Sequence, residues 1–346
     1  MAVSAGSAAI AAGRGRARRR FAAVAGALGL LLVVFFGVAL TWGRGYVPLP
    51  DVLSTLVGLG SRSTDYVILD LKLPRALAAV LVGLAFGVSG AIFQSLLGNP
   101  LASPDVIGIN TGASAAAVLG IVAFGLSGTA VSVVALAGAL LTAALMYALT
   151  WRGGISGSRL VLVGIGVAAI LLSVVSYLMT RSRVATAQDA LVWLTGSLNG
   201  RNWTQVVPLS VLLAVLLPAV AVLARTLGLL RLGDDAARGL GVAVEPARLA
   251  LLGCAVALAG AGTAAAGPVA FVALLAAPIG RRLTRDGGPA LVASGLVGAA
   301  VVLVADFAAQ NLPGLPQYPV GVLTGAVGAP YLLLLLARAN RTGKGG

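Results

Sequence analysis

The 346-residue chain is 59% hydrophobic and only 10% charged, with a mean hydropathy of +1.02 and a formal net charge of +14. A soluble domain of that length needs far more charge to cover its surface, so the composition excludes an ordinary soluble protein and points to a polytopic membrane protein. With no histidine and a single cysteine, Cys254 inside an apolar run, a disulfide framework is excluded and a zinc or haem site built by this chain alone is argued against.

Residues 1–20 are rich in Ala, Gly and Ser and end in Arg14, Arg16, Arg18, Arg19 and Arg20. They read as a disordered basic tail that holds the N-terminus in the cytoplasm, rather than as a lipid or partner contact. The run that follows, Phe21 to Trp42, is long enough to span and lacks a clear small-residue cleavage site, which argues against a cleaved signal peptide. Apolar runs of about 20 residues, the length a bilayer core demands, place spans near 21–42, 74–96, 106–124, 129–150 and 160–180. Five more fall near 205–224, 247–266, 268–283, 289–309 and 319–337. The expected organisation is a tail over 1–20, one transmembrane domain over 21–338 and a short cytoplasmic tail over 339–346.

Ten spans put both termini on one side, and charge says which. Taking the N-terminus as inside, 17 of the 24 basic residues fall in inside segments. The other seven, Arg44, Arg62, Lys72, Arg75, Arg181, Arg183 and Arg201, fall outside, a bias of the sign that the positive-inside rule requires. The four tryptophans, Trp42, Trp151, Trp193 and Trp203, lie at or just beyond span ends, as an aromatic belt predicts. Charge placed this way reads as topology and not as nucleic-acid binding.

Three connections stand out. Residues 43–73 and 181–204 are long outside segments, the second with a short surface helix expected over 187–194. The inside segment 225–248 predicts a short helix with Asp234 as its N-cap, acidic Asp235 at its N-terminus and Gly239 or Gly241 as its stop. Leu232 and Leu240 give that helix an apolar side, and the segment reads equally as a docking element or as a capped connector.

The stretch Ser89–Ser114 is the most unusual. It carries Gln94, Asn99, Asp105, Asn110 and Thr111 among glycines, between two apolar runs. Polar groups and flexible backbone at membrane depth are costly unless protein or a water-filled path surrounds them, so this stretch is expected to line the route of a solute. No G-x-x-x-x-G-K-[ST] loop occurs, and without histidine no nucleophile–base pair assembles, so neither nucleotide binding nor catalysis is expected. Asp306 is the main ionisable residue inside a span; near its outer end, it reads as a hydrogen-bonded packing residue rather than an ion-coupling site.

The segment KLPRALAAVLVGLAFGVSGAIFQSLLGNPLASPDVIGINTGAS (72–114) resembles the signature of the iron-siderophore and cobalamin permeases, FecCD/BtuC-like membrane subunits of binding-protein-dependent ABC importers. LVGIGVAAI (162–170), WLTGSLNGRNW (193–203), LGDDAARGLGV (232–242), GPVAFVALLAAPIGRRLTR (267–285) and LPQYPVGVLTGAVGAP (315–330) match in order. WLTGSLNGRNW with FVALLAAPIGRRLT is most similar to the subgroup that imports ferric catecholate siderophores such as ferric enterobactin.

The resemblance implies an all-α polytopic fold of ten transmembrane helices, the type II ABC importer permease fold. It also implies pairing with a second permease, two cytoplasmic ATPase subunits that use the ATP, an extracytoplasmic binding protein, and no cofactor on this chain. A hetero-pair is favoured because this subgroup often uses two permeases. Lys72 and Arg75 match basic residues that pair with acids on the binding protein; otherwise they anchor the start of span two. A third basic position is Gln310 here.

Asn99 and Leu101 match a cytoplasmic constriction, and Ser156, Gly157 and Ser158 match a second gate element or form a plain turn, with Gly157 replacing a polar residue. Gly233, Asp234, Asp235, Ala236, Arg238, Gly239, Leu240 and Gly241, within a segment at about 231–243, match the coupling helices that enter a cleft on the ATPase. At Ala277-Pro278-Ile279 the family's proline stands one place later and its polar neighbour is missing. By this reading Asn99-Pro100-Leu101, the centre of the unusual stretch, is an inner gate, and cargo choice is made elsewhere. The competing readings are the same machine carrying cobalamin, haem or a hydroxamate siderophore, and an ion-coupled secondary transporter.

Overall fold

The computed structural model describes residues 2–43, 45–151, 157–285, 287–312 and 317–342, and among them all regular structure is helical. The first helix, α1 (Ala2–Thr41), is followed by the short α2 (Leu49–Leu56) and α3 (Arg62–Asp65), which continues through a π-helical turn, Tyr66–Lys72, into α4 (Leu73–Leu96). Then come α5 (Ile109–Phe124), α6 (Thr129–Thr150), α7 (Gly157–Arg181), α8 (Val184–Leu194) and α9 (Trp203–Leu230). The short α10 (Asp234–Gly239) leads to α11 (Val244–Ala266), α12 (Val272–Thr284), α13 (Leu291–Asn311) and α14 (Val320–Thr342).

Each of the ten expected spans falls on one helix. Among the described residues seven helices are long and apolar enough to cross a bilayer unaided, while α5 and the apolar part of α14, Val320–Leu334, are shorter. The 13-residue α12 is shorter still. α5 and α12 begin after irregular stretches, 97–108 and 267–271, whose last residues, 106–108 and 268–271, the apolar runs had suggested were helical.

Three expectations change. The tail expected to be disordered over 1–20 is helical from Ala2 onward, as the start of α1. Residues 43–73 are not a simple outer loop, because helix begins at Arg62 and runs unbroken to Leu97 over 36 residues. Asp234 is not the N-cap of its helix; Gly233 is, with φ 98°, and Asp234 is the first helical residue. The expected surface helix at 187–194 is α8, three residues longer at its start.

α4 is the central post. Its apolar stretch is 78% buried within this one chain, against 11% for that of α1 and 22% for those of α7 and α9. Without water to drive apolar surfaces together, helices in a bilayer associate through close backbone approach at small residues. A Cβ added at Gly83 would stand 2.3 Å from the Gly298 carbonyl oxygen of α13, and one at Gly90 would stand 1.9 Å from the Ala273 carbonyl of α12. Any larger residue at either position forces the two backbones apart.

Polar side chains at depth are satisfied across helices, as a bilayer requires. Ser89 donates to the Ala255 carbonyl at 2.7 Å. Gln94 donates to the Leu274 carbonyl at 3.1 Å. Pro278 lies inside α12 and has no N–H to offer Leu274, its partner four residues back, so Gln94 supplies the donor that the proline removes.

Hydrogen bonds between helix ends divide the molecule into two faces. At one, Lys72 donates to carbonyls at the end of α1 and the Trp203 indole donates to the Leu69 carbonyl at 2.8 Å. At the other, Arg20 donates to the Leu283 carbonyl at 2.8 Å, Arg281 donates to Gln94, and Arg231 donates to the Gly287 carbonyl. These are the two groups of connections that the charge bias separates.

Candidate functional site

The break between α4 and α5 builds the first part of the site. Asn99 accepts the Leu101 N–H at 2.9 Å, so its side chain fixes the turn in which it sits. Ser103 accepts the Val106 N–H at 3.3 Å, and the chain then enters α5 through Gly108, whose φ of 90° strains any other residue. Leu101, Ser103, Asp105 and Val106 form one wall of a cavity of about 600 Å³. Pro268, Ala270, Phe271 and Leu274, with Leu194 of α8 and Leu332 of α14, form the rest. Its lining is mostly apolar, which gives a solute little to hold.

Under that wall lies a polar relay absent from the sequence-derived site. Asp105 accepts from the Asn110 amide and from the Phe271 N–H at the start of α12. Asn110 in turn accepts from the Thr263 hydroxyl of α11 at 3.0 Å. Phe271 holds a left-handed φ of 64°, the strained conformation that aims its N–H at the loop. Burial raises the Asp105 carboxyl to about 6, outweighing the two hydrogen bonds, from Asn110 and from Phe271, that favour its charged form. The signal that pointed to these residues was the unusual density of polar groups in 89–114; what it lacked was their partners on α11 and α12.

At the face that carries Lys72, a larger cavity of about 690 Å³ opens among α1, the π-turn, α4, α9 and α13. Both expected docking residues are found in its wall, and both are engaged. The Lys72 ammonium donates to the carbonyls of Leu40, Thr41 and Trp42 at 3.0, 3.3 and 3.4 Å, where it caps the negative end of α1. Arg75 meets Asp306 at two points, 3.0 and 2.9 Å, and Asn199 at 3.3 Å. Gln310 donates to the same Asp306 carboxylate at 2.7 Å. The packing role read for Asp306 is thus filled by an ion pair with Arg75.

At the opposite face α10 stands between α9 and α11. Asp234 pairs with Arg248 at 2.6 Å, and Arg248 also meets Glu245 at 3.2 Å, tying α10 to the first turn of α11. Ala237 is buried, whereas Leu232 and Leu240 are exposed on either side of it. Asp235 is fully exposed and meets Arg238 at 3.1 Å. Ala236 lies within α10, Gly239 ends it, Leu240 is its C-cap and Gly241 follows at φ 82°. Of the second gate element, Ser156 lies outside the described residues, and Gly157 and Ser158 open α7. Arg159 donates to the Thr150 carbonyl at 3.3 Å and so holds the ends of α6 and α7 together.

The comparisons with known proteins agree with this architecture. The chain is 43% identical over 316 residues to the ferric enterobactin transport system permease protein FepG of Escherichia coli, covering 90% of this chain and 96% of that protein. It is 41% identical to the achromobactin transport system permease CbrC of Dickeya dadantii, covering 90% of each. Its fold matches an inward-facing structure of a metal-chelate type ABC transporter with a TM-score of 0.81 at 26% identity, over 91% of this chain and 99% of the other. The model of the FecCD transport family matches residues 30–338, and the chain belongs to that family of multi-pass ABC importer permeases.

Proposed function

We propose that this chain is the transmembrane permease subunit of a binding-protein-dependent importer that carries a ferric catecholate siderophore, of the enterobactin kind, across the cytoplasmic membrane. The observation that supports the reading most is the cavity of about 600 Å³ behind Leu101, whose lining is poor in polar groups. Such a lining suits a weakly binding passage completed by a second permease, here taken as a different chain. Cargo selection then rests with the extracytoplasmic binding protein.

The two termini face the cytoplasm in this reading, and two ATPase subunits dock there on the α10 region, Gly233 to Gly241. ATP-driven displacement of α10 is carried through the Asp234–Arg248 pair into α11, and from α11 through Thr263 and Asn110 to the Asp105 loop. Leu101 and Asn99, with Ser156, Gly157 and Ser158, form the inner gate that this movement opens and closes. Lys72 and Arg75 belong to the outer face on which the loaded binding protein settles.

Reconstitution of the permease pair with its ATPases and binding protein in liposomes tests the reading. ATP-dependent uptake of radioiron as ferric enterobactin is expected, with weaker uptake of a ferric hydroxamate and none of cobalamin. Cobalamin uptake without ferric siderophore uptake would sink the cargo assignment. Movement of substrate on a proton gradient without ATPase subunits would sink the importer class itself.

A further inference from the structure

Resting on the docking reading above, we infer that Arg201 is a further cation offered to an acidic side chain of the docking protein, the one among the described residues whose donors are still free, in a cavity whose wall Arg75 and Lys72 share. The inference follows from which positive charges in the outer cavity still have donors to give. All three guanidinium nitrogens of Arg75 have acceptors within the chain, two on Asp306 and one on Asn199. Its side chain is 11% exposed and its charge is neutralised. Lys72 directs its ammonium at three backbone carbonyls of the α1 end.

Arg201 differs from both. It stands in the loop between α8 and α9, where its Nε donates to the Ser197 carbonyl at 3.2 Å. Among the described residues its two terminal nitrogens have no acceptor and no carboxylate lies within ion-pair distance. Yet the side chain lines the cavity of about 690 Å³, beside Asn199, Asn202 and Trp203. Asp70 lines the same cavity and is exposed, without pairing to Arg201.

A partly buried guanidinium with no counter-ion is costly, and burial pulls its pKa below the usual arginine value. That cost is offset once a carboxylate arrives, and the planar fork of an arginine receives a carboxylate at two points. The cavity is large enough for a whole acidic side chain to enter beside the indole of Trp203. The arrangement also accounts for the WLTGSLNGRNW segment, whose Gly196 approaches Pro268 and Gly321 closely enough to hold the loop rigid under Arg201.

The experiment uses the assembled permease–ATPase complex in lipid nanodiscs and titrates it with siderophore-loaded binding protein at low and high salt. Arg201→Gln is expected to weaken docking by about tenfold to a hundredfold and to flatten its salt dependence, with Arg201→Lys recovering part of the loss. Melting of the assembled complex reports whether each variant is folded. Wild-type protein gives a second readout that needs no variant: phenylglyoxal should label Arg201 in the free complex and not in the docked one. Unchanged docking and salt slope in Arg201→Gln, or labelling that docking does not alter, would overturn the inference and leave the docking reading standing. Normal docking with slowed uptake of the anionic ferric siderophore would also overturn it, assigning the cation to the cargo. Failure of the binding protein to dock on the wild-type complex would remove the docking reading itself.

Discussion

Gln94 of α4 donates to the Leu274 carbonyl of α12 at 3.1 Å, and that carbonyl is the one that Pro278 leaves without a backbone donor. The same side chain accepts from Arg281, so one amide repairs a helix break and anchors a cation at the end of α12. Substituting Gln94→Leu strands the Leu274 oxygen and should cost about 1–3 kcal/mol. Melting of the detergent-solubilised protein checks the loss. Pro278→Ala in the same background returns an N–H to Leu274, so the double variant should melt above Gln94→Leu alone. A double variant no more stable than the single would mean that the bond to Leu274 contributes nothing.

Arg75 and Asp306 are 231 residues apart in sequence and meet with side-chain exposures of 11% and 4%. Removing one member of such a pair leaves an uncompensated charge, at a cost of about 3–5 kcal/mol. Asp306→Ala should therefore be strongly destabilising, and Arg75→Met added to it should restore part of the stability. A thermodynamic cycle over the two single variants and the double variant gives the coupling. Additive losses would show that the two side chains do not depend on one another.

The Asp105 carboxyl, raised by burial to about 6 from an ordinary 3.8, sets the sign of a pH effect. The folded protein holds this proton more tightly than the unfolded chain, so stability rises as pH falls through about 6 towards 4, and the penalty of the buried charge is fully present above that range. Asp105→Asn removes the titration. Its melting point relative to the wild type should therefore be more favourable at about pH 7.5 than at about pH 4.5. A difference independent of pH would mean that Asp105 titrates in its ordinary range.

These three relationships mark where the sequence stopped being legible. A bilayer imposes a length on every crossing, so apolar runs located the helices. Irregular backbone before α5 and α12 leaves no such imprint, because Val106, Ile107, Val269 and Phe271 are as apolar as helix residues. Polar residues in 89–114 were conspicuous, but the partners that explain them, Leu274, Thr263 and the Phe271 N–H, are distant in sequence and two of the three are backbone groups. Lys72 and Arg75 were legible as cations; that the chain itself occupies them depends on Asp306 and on the end of α1.

Close approach of α4 to α13 should be intolerant of even one methyl group. A Cβ at Gly83 meets the Gly298 oxygen at 2.3 Å and the Ala299 Cα at 2.5 Å, all backbone atoms that no side-chain rotation relieves. Gly83→Ala should cost at least the 1–3 kcal/mol or so typical of overpacked cores. Gly26→Ala, inside α1 with nothing within 4 Å of the added atom, serves as the control and should leave the melting point unchanged or slightly raised. Equal stability of the two variants would show that α4 and α13 separate at little cost.

The α10 region separates a structural acid from an exposed one. Asp234 meets Arg248 at 2.6 Å and so helps to hold α10 on α11, whereas the fully exposed Asp235 contributes little through its surface contact with Arg238. Asp234→Lys should therefore lower both stability and ATPase association. Asp235→Lys should lower association while melting within about 0.5 kcal/mol of the wild type, as surface changes do. Pull-down of the ATPase by the purified permease, with melting measured in parallel, separates the two. The exposed Leu232 and Leu240 supply the apolar part of the same surface, and Leu240→Asp should weaken capture without loss of fold. ATPase capture at wild-type level by both Asp235→Lys and Leu240→Asp would rule α10 out as the contact through which hydrolysis drives the gate.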